Sequence, residues 1–280
     1  MQQDETMKPA TEAIQSQNIP TEKAPIIPIS GAPEQVFPQT AKPVEHHPQT
    51  AQKRPQNGIS GKKIGLKQLA QKTYSSVPGL PEEFTRSFGD IEDAFDMIIW
   101  GDSGNGKTNF TVQVIKELML ALNQKCIYIS YEEGHTKTLQ KTMIERHDML
   151  NTVGNKLEIM DHASFNDLVK RMSKRQSAKI WVIDSIQASG FTQEQCAELK
   201  NRFVMSRKKK IIIYISWADG KNPKGSTAVS VKYYAHIKIR VEGFIAFFRS
   251  RFGGNRNFII WEEGAKKWHG LKPFTKHKNR

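Results

Sequence analysis

Met97-Ile98-Ile99-Trp100, followed without a break by Gly101-Asp102-Ser103-Gly104-Asn105-Gly106-Lys107-Thr108, decides the fold of this chain. An apolar run enters G-x-x-x-x-G-K-[ST], and an apolar helix-like stretch leaves it. That strand, loop and helix order is what a phosphate-cradling loop requires. The glycines let backbone N–H groups turn inward and line an anion nest. Lys107 is placed to reach β- and γ-phosphates, and the Thr108 hydroxyl to hold Mg²⁺.

Working outward, short apolar runs alternate with amphipathic stretches. Strands are expected at Met97–Trp100, Cys126–Ser130, Leu157–Met160, Ile180–Ile183 and Ile211–Ser216, and helices at Lys107–Leu122, His135–Leu150 and Thr192–Ser206. A further helix, capped by Ser164, runs to about Lys174. This pattern predicts an α/β fold with a mainly parallel central sheet flanked by helices. Lys232–Val241, Gly243–Ser250 and Asn257–Trp261 read as antiparallel strands added at the C-terminal edge. Leu66–Lys72 and Glu82–Phe88 read as short helices. The expected organisation is an arm over 1–60, a helical lead-in over 61–89, a nucleotide-binding domain over 90–264 and a basic tail over 265–280.

The arm holds nine of the chain's 13 prolines and too few apolar residues to bury a core, so it is expected to be disordered. It carries five Lys/Arg against six Asp/Glu, whereas the whole chain is +14, so residues 61–280 carry +15. Cations cluster at Lys170-Arg171 with Lys174-Arg175, at Arg207-Lys208-Lys209-Lys210, and from Lys266 to Arg280. Such an excess favours a polyanion, nucleic acid above all. No apolar run of eighteen residues and no leader is present, which argues against a membrane partner and against secretion. Cys126 and Cys196 lie far apart, without C-x-x-C spacing, and read as buried thiols in a reducing cytoplasm.

Two further carboxylate sites fit the loop. Ile180-Trp181-Val182-Ile183-Asp184 is an apolar strand ending in an acid, where a carboxylate can hold Mg²⁺ opposite Thr108. Tyr128-Ile129-Ser130-Tyr131-Glu132-Glu133-Gly134 ends another strand with two acids. Glu132 is the candidate base for the water that attacks a γ-phosphate, and Glu133 the candidate cap of the next helix.

Together, Gly101–Thr108, Glu132-Glu133 and Val182-Ile183-Asp184-Ser185-Ile186-Gln187 resemble the RecA/RadA (Sms) type of P-loop ATPase core. Val231–Ile239 resembles the strand after the second DNA-binding loop of RecA, and Arg249-Ser250-Arg251-Phe252-Gly253 is similar to the K-N-R-F-G motif of RadA. The resemblance implies that Arg249 and Arg251 reach a neighbouring subunit's γ-phosphate. Alternate residues on a strand share a face, so both guanidiniums are expected to project together. It further implies DNA contacts from the basic segment Trp217–Thr227, expected to be a mobile loop, through Lys221, Lys224, Ser226 and Thr227. A first DNA loop at Ala188–Thr192 would place Phe191 to stack on a base.

The sequence departs from that family in three places. RadA's four-cysteine zinc module and protease-like domain have no counterpart, and no separate polymerisation helix is evident, although Leu66–Phe88 either serves or covers the sheet. Trp217 stands where relatives carry a polar γ-phosphate sensor, a role for which Ser216 and Asp219 are the nearby polar candidates. The resemblance implies a homo-oligomeric, Mg²⁺- and ATP-dependent ATPase assembling on single-stranded DNA in recombination, repair or replication. The alternatives are a DnaB-type helicase motor and a KaiC-like regulatory ATPase acting on protein partners. The arm is a candidate site for a protein partner.

Overall fold

The computed structural model describes residues 63–270; the arm over 1–60 and the last ten residues of the basic tail lie outside them. Two short helices, α1 (Leu66–Ala70) and α2 (Glu82–Phe88), precede β1 (Asp96–Gly101), α3 (Lys107–Leu122) and β2 (Cys126–Ser130). Next come α4 (Lys137–Gln140), a π-helical segment (Lys141–Arg146), α5 (Met149–Thr152), β3 (Leu157–Met160), α6 (Phe165–Ser173), β4 (Ile180–Asp184) and α7 (Ile186–Ser189). Helix α8 (Gln193–Leu199) runs on as a second π-helical segment (Lys200–Val204) into β5 (Ile211–Asp219), β6 (Asn222–Pro223) and α9 (Ser226–Tyr234). The described chain ends with β7 (Ile237–Glu242), β8 (Ile245–Ser250), β9 (Phe258–Ile259) and α10 (Glu262–His269).

The strands form one sheet in the order β3-β2-β4-β5-β1-β7-β8-β9, with β6 folded back on β5. The pairs from β3 to β7 are parallel, and β8 and β9 are antiparallel additions. This is the expected fold class, a mainly parallel sheet with antiparallel strands added at one edge. Strands buried on both faces need an apolar layer on each side. Ile99, Val182 and Ile213 face α2 and α3 in one layer, while Ile98, Trp181 and Tyr214 face the other. Phe84 and Phe88 of α2 pack on Phe258 and Phe248, so this helix covers the sheet. Ser164 caps α6, its hydroxyl accepting the Asp167 N–H at 3.2 Å.

Five expectations need correction. Lys232–Val241 is not one strand: α9 continues to Tyr234, because Ala228, Val231 and Ala235 recur at helical spacing and are all buried. The strand that follows, β7, pairs parallel with β1 rather than antiparallel. It then reverses through Gly243 (φ 52°) and Phe244 (φ 62°), a two-residue turn with both φ positive, so β8 starts at Ile245. Gly264, the expected domain boundary, falls inside α10, whose Ala265 is fully buried. The helix expected over His135–Leu150 is broken at Asp148, which has φ 50°.

At the start of β1, Asp96 is fully buried. It accepts two hydrogen bonds from Lys200 Nζ, at 2.9 and 3.1 Å, and pairs with His236. Burial pushes its carboxyl up, but His236 and Lys200 together hold it below the usual value. A depressed carboxylate stabilises the fold above the unfolded pKa, and that stabilisation is lost as pH falls through the folded value. Asp96→Ala is expected to cost about 3–5 kcal/mol, the cost of breaking a buried pair. Denaturant unfolding at pH 7 measures this, and the variant should lose less stability than the wild type on acidification below pH 4.

Candidate nucleotide site

The carboxyl ends of the parallel strands bring the predicted residues together, as this architecture does in general. Gly101 closes β1, and a Cβ there would meet the Val241 carbonyl at 2.2 Å, so only glycine lets the loop leave the sheet beside β7. Gly104 and Gly106, with φ of 78° and 95°, turn the loop into α3. Lys107 Nζ bonds the Asp102 carbonyl at 2.9 Å. Burial lowers its pKa, opposed by Asp184, Glu132 and Asp102. These residues line a cleft of about 980 Å³ that also takes in Ser103, Thr108, Glu133 and Trp217. Of the eight loop residues only Asn105 is not on its wall. Its side chain is buried and accepts the Gly243 N–H at 3.0 Å, clamping the loop to the β7–β8 turn. Asn105 therefore shapes the nest rather than lining it.

Asp184 ends β4, and Tyr128, one strand away on β2, donates its hydroxyl to Asp184 Oδ2. Burial pushes Asp184 up to about 6; Glu132 and Glu133 add to the rise, and Tyr128 and Lys107 oppose it. Thr108 and Asp184 give the same cleft two hard oxygen donors, which suit Mg²⁺.

Glu132 is held by two contacts. Its N–H bonds the Asp184 carbonyl at 3.2 Å, and its Oε2 accepts the Trp217 indole N–H at 2.6 Å. Strand β5 lies between β1 and β4, so its tip residue Trp217, in register with Gly101, falls between the loop and the acids. The Trp217 ring thus turns its indole N–H toward a carboxylate of the cleft. Ser216 and Asp219 do not stand in for it. Ser216 is fully buried and bonded to Gln187, and Asp219 pairs with Asn222 away from the cleft. Glu133 accepts from Thr136, which is itself the cap of α4, so Glu133 is not the cap. Trp217→Phe keeps an aromatic ring, though a smaller one, and removes the donor. If the cleft hydrolyses a nucleoside triphosphate, the change is expected to lower kcat about tenfold, the order of one hydrogen bond to a charged group, with KM within twofold of wild type. A change confined to KM would assign Trp217 to binding instead.

No sequence motif marks the far end of the cleft. Phe244, Ile260 and Trp261 give it an apolar wall, and Gln113, Arg146 and His147 a polar one. Phe244 sits there because the β7–β8 turn is pinned to Asn105.

The remaining predicted residues separate. Trp217–Thr227 is a hairpin and a helix start rather than a mobile loop: Ala218 and Asp219 pair with Pro223 and Asn222, and Ser226 opens α9. Lys224 lines the nucleotide cleft, its ammonium 5.7 Å from the Trp217 ring centre. Lys221 instead lines a second groove of about 690 Å³. Ser226 is exposed and Thr227 half-buried in the first turn of α9, on neither wall. Phe191 is only 6% exposed and packs edge-on against Tyr131 and Phe165, so it is a core residue with no face for a base.

Arg249 and Arg251 both line the second groove, together with Lys232, Lys238 and Arg240. Arg249 lies opposite Lys238 across β7–β8, whereas Arg251 is in the turn beyond β8, its N–H bonded to the His236 carbonyl. They share this groove although only one of them is on the strand, and no residue of it lines the nucleotide cleft.

No family model matches the chain, and no curated protein matches it. Among solved structures it is similar to a KaiC-like protein from the hyperthermophilic archaeon Pyrococcus horikoshii OT3, at 18% identity over 66% of this chain and 93% of that one, with a TM-score of 0.49. It is also similar to the flagellar accessory protein FlaH from Methanocaldococcus jannaschii, at 17% identity over 65% and 84%, with a TM-score of 0.44.

Proposed function

We propose that this chain is a Mg²⁺-dependent ATPase of the RecA/RadA type that assembles with copies of itself on single-stranded DNA. One observation carries the reading. Lys107, Thr108, Asp184 and Glu132 meet in one cleft, while the cations Arg249 and Arg251 stand together in a separate groove of the same chain. A hydrolytic centre with a base but with its finger-like cations elsewhere is completed when a neighbour supplies them. Ile64, Leu66 and Leu69 at the start of the described chain are exposed, which fits a contact between copies.

In this scheme the loop amides and Lys107 hold the β- and γ-phosphates, and the base lies against Phe244 and Trp261. Thr108 and Asp184 hold Mg²⁺, which screens phosphate charge when bound. Glu132 orients the attacking water and takes its proton as the oxygen bonds to the γ-phosphorus and the β–γ bridge breaks. Trp217 keeps Glu132 in place. The 217–225 hairpin joins the two sites, since Lys224 lines the cleft and Lys221 the groove, and the Trp100 indole N–H bonds the Lys221 carbonyl at 3.2 Å. A phosphate backbone on Lys221 and Lys224 would therefore be felt beside Glu132.

The test is the ATPase rate of the full chain with and without single-stranded DNA, across a salt series. We expect stimulation of about tenfold or more that fades steeply with salt. An unchanged rate would favour a regulatory ATPase acting on proteins, and catalytic displacement of a long duplex strand would favour a helicase motor.

A further inference from the structure

Four lysines stand immediately before the first residues of four adjacent parallel strands: Lys156 before β3, Lys125 before β2, Lys179 before β4 and Lys210 before β5. Register sets them side by side, because Leu157 pairs with Cys126, Cys126 with Ile180 and Ile180 with Ile211. At a strand spacing of about 4.8 Å the row is about 14 Å long. It follows the amino-terminal edge of the sheet, the end opposite the phosphate loop and Asp184.

Two basic segments distant in sequence close on this row. Lys208 Nζ donates to the Ser173 carbonyl at the end of α6, at 2.8 Å. Lys210 Nζ donates to the Ser177 carbonyl at 3.0 Å, and to the Ser177 hydroxyl and the Ala178 carbonyl at 2.7 Å each. The turn carrying Lys174 and Arg175 is thereby held against Arg207–Lys210. Opposing charge is sparse. Asp93 is shared between Lys179 at 3.9 Å and Lys209 at 3.3 Å, while Lys125, Lys156, Lys174 and Arg175 form no ion pair among the described residues. Lys210 is pushed down to about 8 by burial, with Lys179 and Lys208 adding to the fall. The C-terminal dipole of α6 accounts for cations in its last turn, but not for lysines that open β2 and β3.

We propose that this rim binds the phosphate backbone of duplex nucleic acid, as a second nucleic-acid surface at the opposite end of the sheet from the nucleotide cleft. Each strand of a duplex carries about one charge per 3.4 Å of axis, so a row of this length runs beside about four phosphates of one strand. Lys210, buried and held by its three hydrogen bonds, braces the rim while Lys125 and Lys156 stand exposed on it. The rim offers point charges and no stacking ring, which suits a duplex better than a single strand. Contact is with the backbone, so it is independent of base sequence. The proposal does not rest on the assignment of single strands to the 217–227 segment.

The experiment uses the full chain, a labelled duplex oligonucleotide and anisotropy titrations over a salt series. The wild type should bind, and a variant with Lys125, Lys156, Lys174 and Arg175 all changed to Gln should lose about three to four from the slope of log affinity against log salt. ATP hydrolysis without nucleic acid should stay unchanged, which also shows that the variant is folded. Should the quadruple variant unfold, Lys125→Glu and Lys156→Glu singly should each lower the slope by about one. A wild-type chain that ignores duplex, or that prefers vesicles of anionic lipid to it, overturns the proposal, as does a variant with the wild-type slope. Lys221→Gln separates the two nucleic-acid readings: it should weaken stimulation by single strands and leave duplex binding intact.

Discussion

If the chain hydrolyses ATP as proposed, Lys107→Ala is expected to lower the rate by about 10²–10³-fold, the cost of removing one preorganised donor from developing phosphate charge. The side chain has no structural role to lose: its hydrogen bond goes to the loop's own Asp102 carbonyl, a contact that a nucleotide phosphate replaces. Half-buried between Asp184 and Glu132, it offsets two carboxylates that would otherwise repel a triphosphate. Steady-state hydrolysis measures the loss, and a melting temperature equal to the wild type's separates it from unfolding. A tenfold effect or less would place the phosphates elsewhere in the cleft.

Changing Arg249 and Arg251 together to alanine should cost about 10³-fold in kcat, as loss of finger cations does in related chemistry. The argument is positional. Neither residue lines the cleft that holds Lys107 and Glu132, so a large loss there cannot come from the chain's own site. ATP binding, followed with a fluorescent analogue under conditions where hydrolysis is slow, should weaken no more than a few-fold. If the cations merely keep the sheet edge soluble, hydrolysis would be unaffected.

The parts of the molecule legible in the sequence are those fixed by local pattern. The run into Gly101–Thr108, the acid after Ile180–Ile183 and the strand–helix alternation each depend on a few adjacent residues, and each stands where expected. The rest depends on partners far along the chain. Phe191 looks like a loop aromatic until Tyr131 and Phe165 close over it. Asn105 looks like a phosphate ligand until the β7–β8 turn takes its side chain. Trp217 looks like a lost sensor, yet the strand order puts its indole N–H on Glu132, 85 residues away. Lys232–Tyr234 reads as strand because its two tyrosines outweigh the helical spacing of Ala228, Val231 and Ala235, which is clear only once a sheet lies beneath. The lysine row has no sequence signal at all, because its members become neighbours only through parallel register.

The central claim is that each nucleotide cleft is one half of a catalytic centre and that a second copy brings the other half. Mixing the two inactive proteins tests it. Lys107→Ala keeps its arginines, and the Arg249→Ala, Arg251→Ala chain keeps its cleft, so a random mixture joins intact halves at about a quarter of contacts. The mixture should regain up to about a quarter of wild-type ATP hydrolysis. A mixture no more active than the sum of its two components would contradict the account.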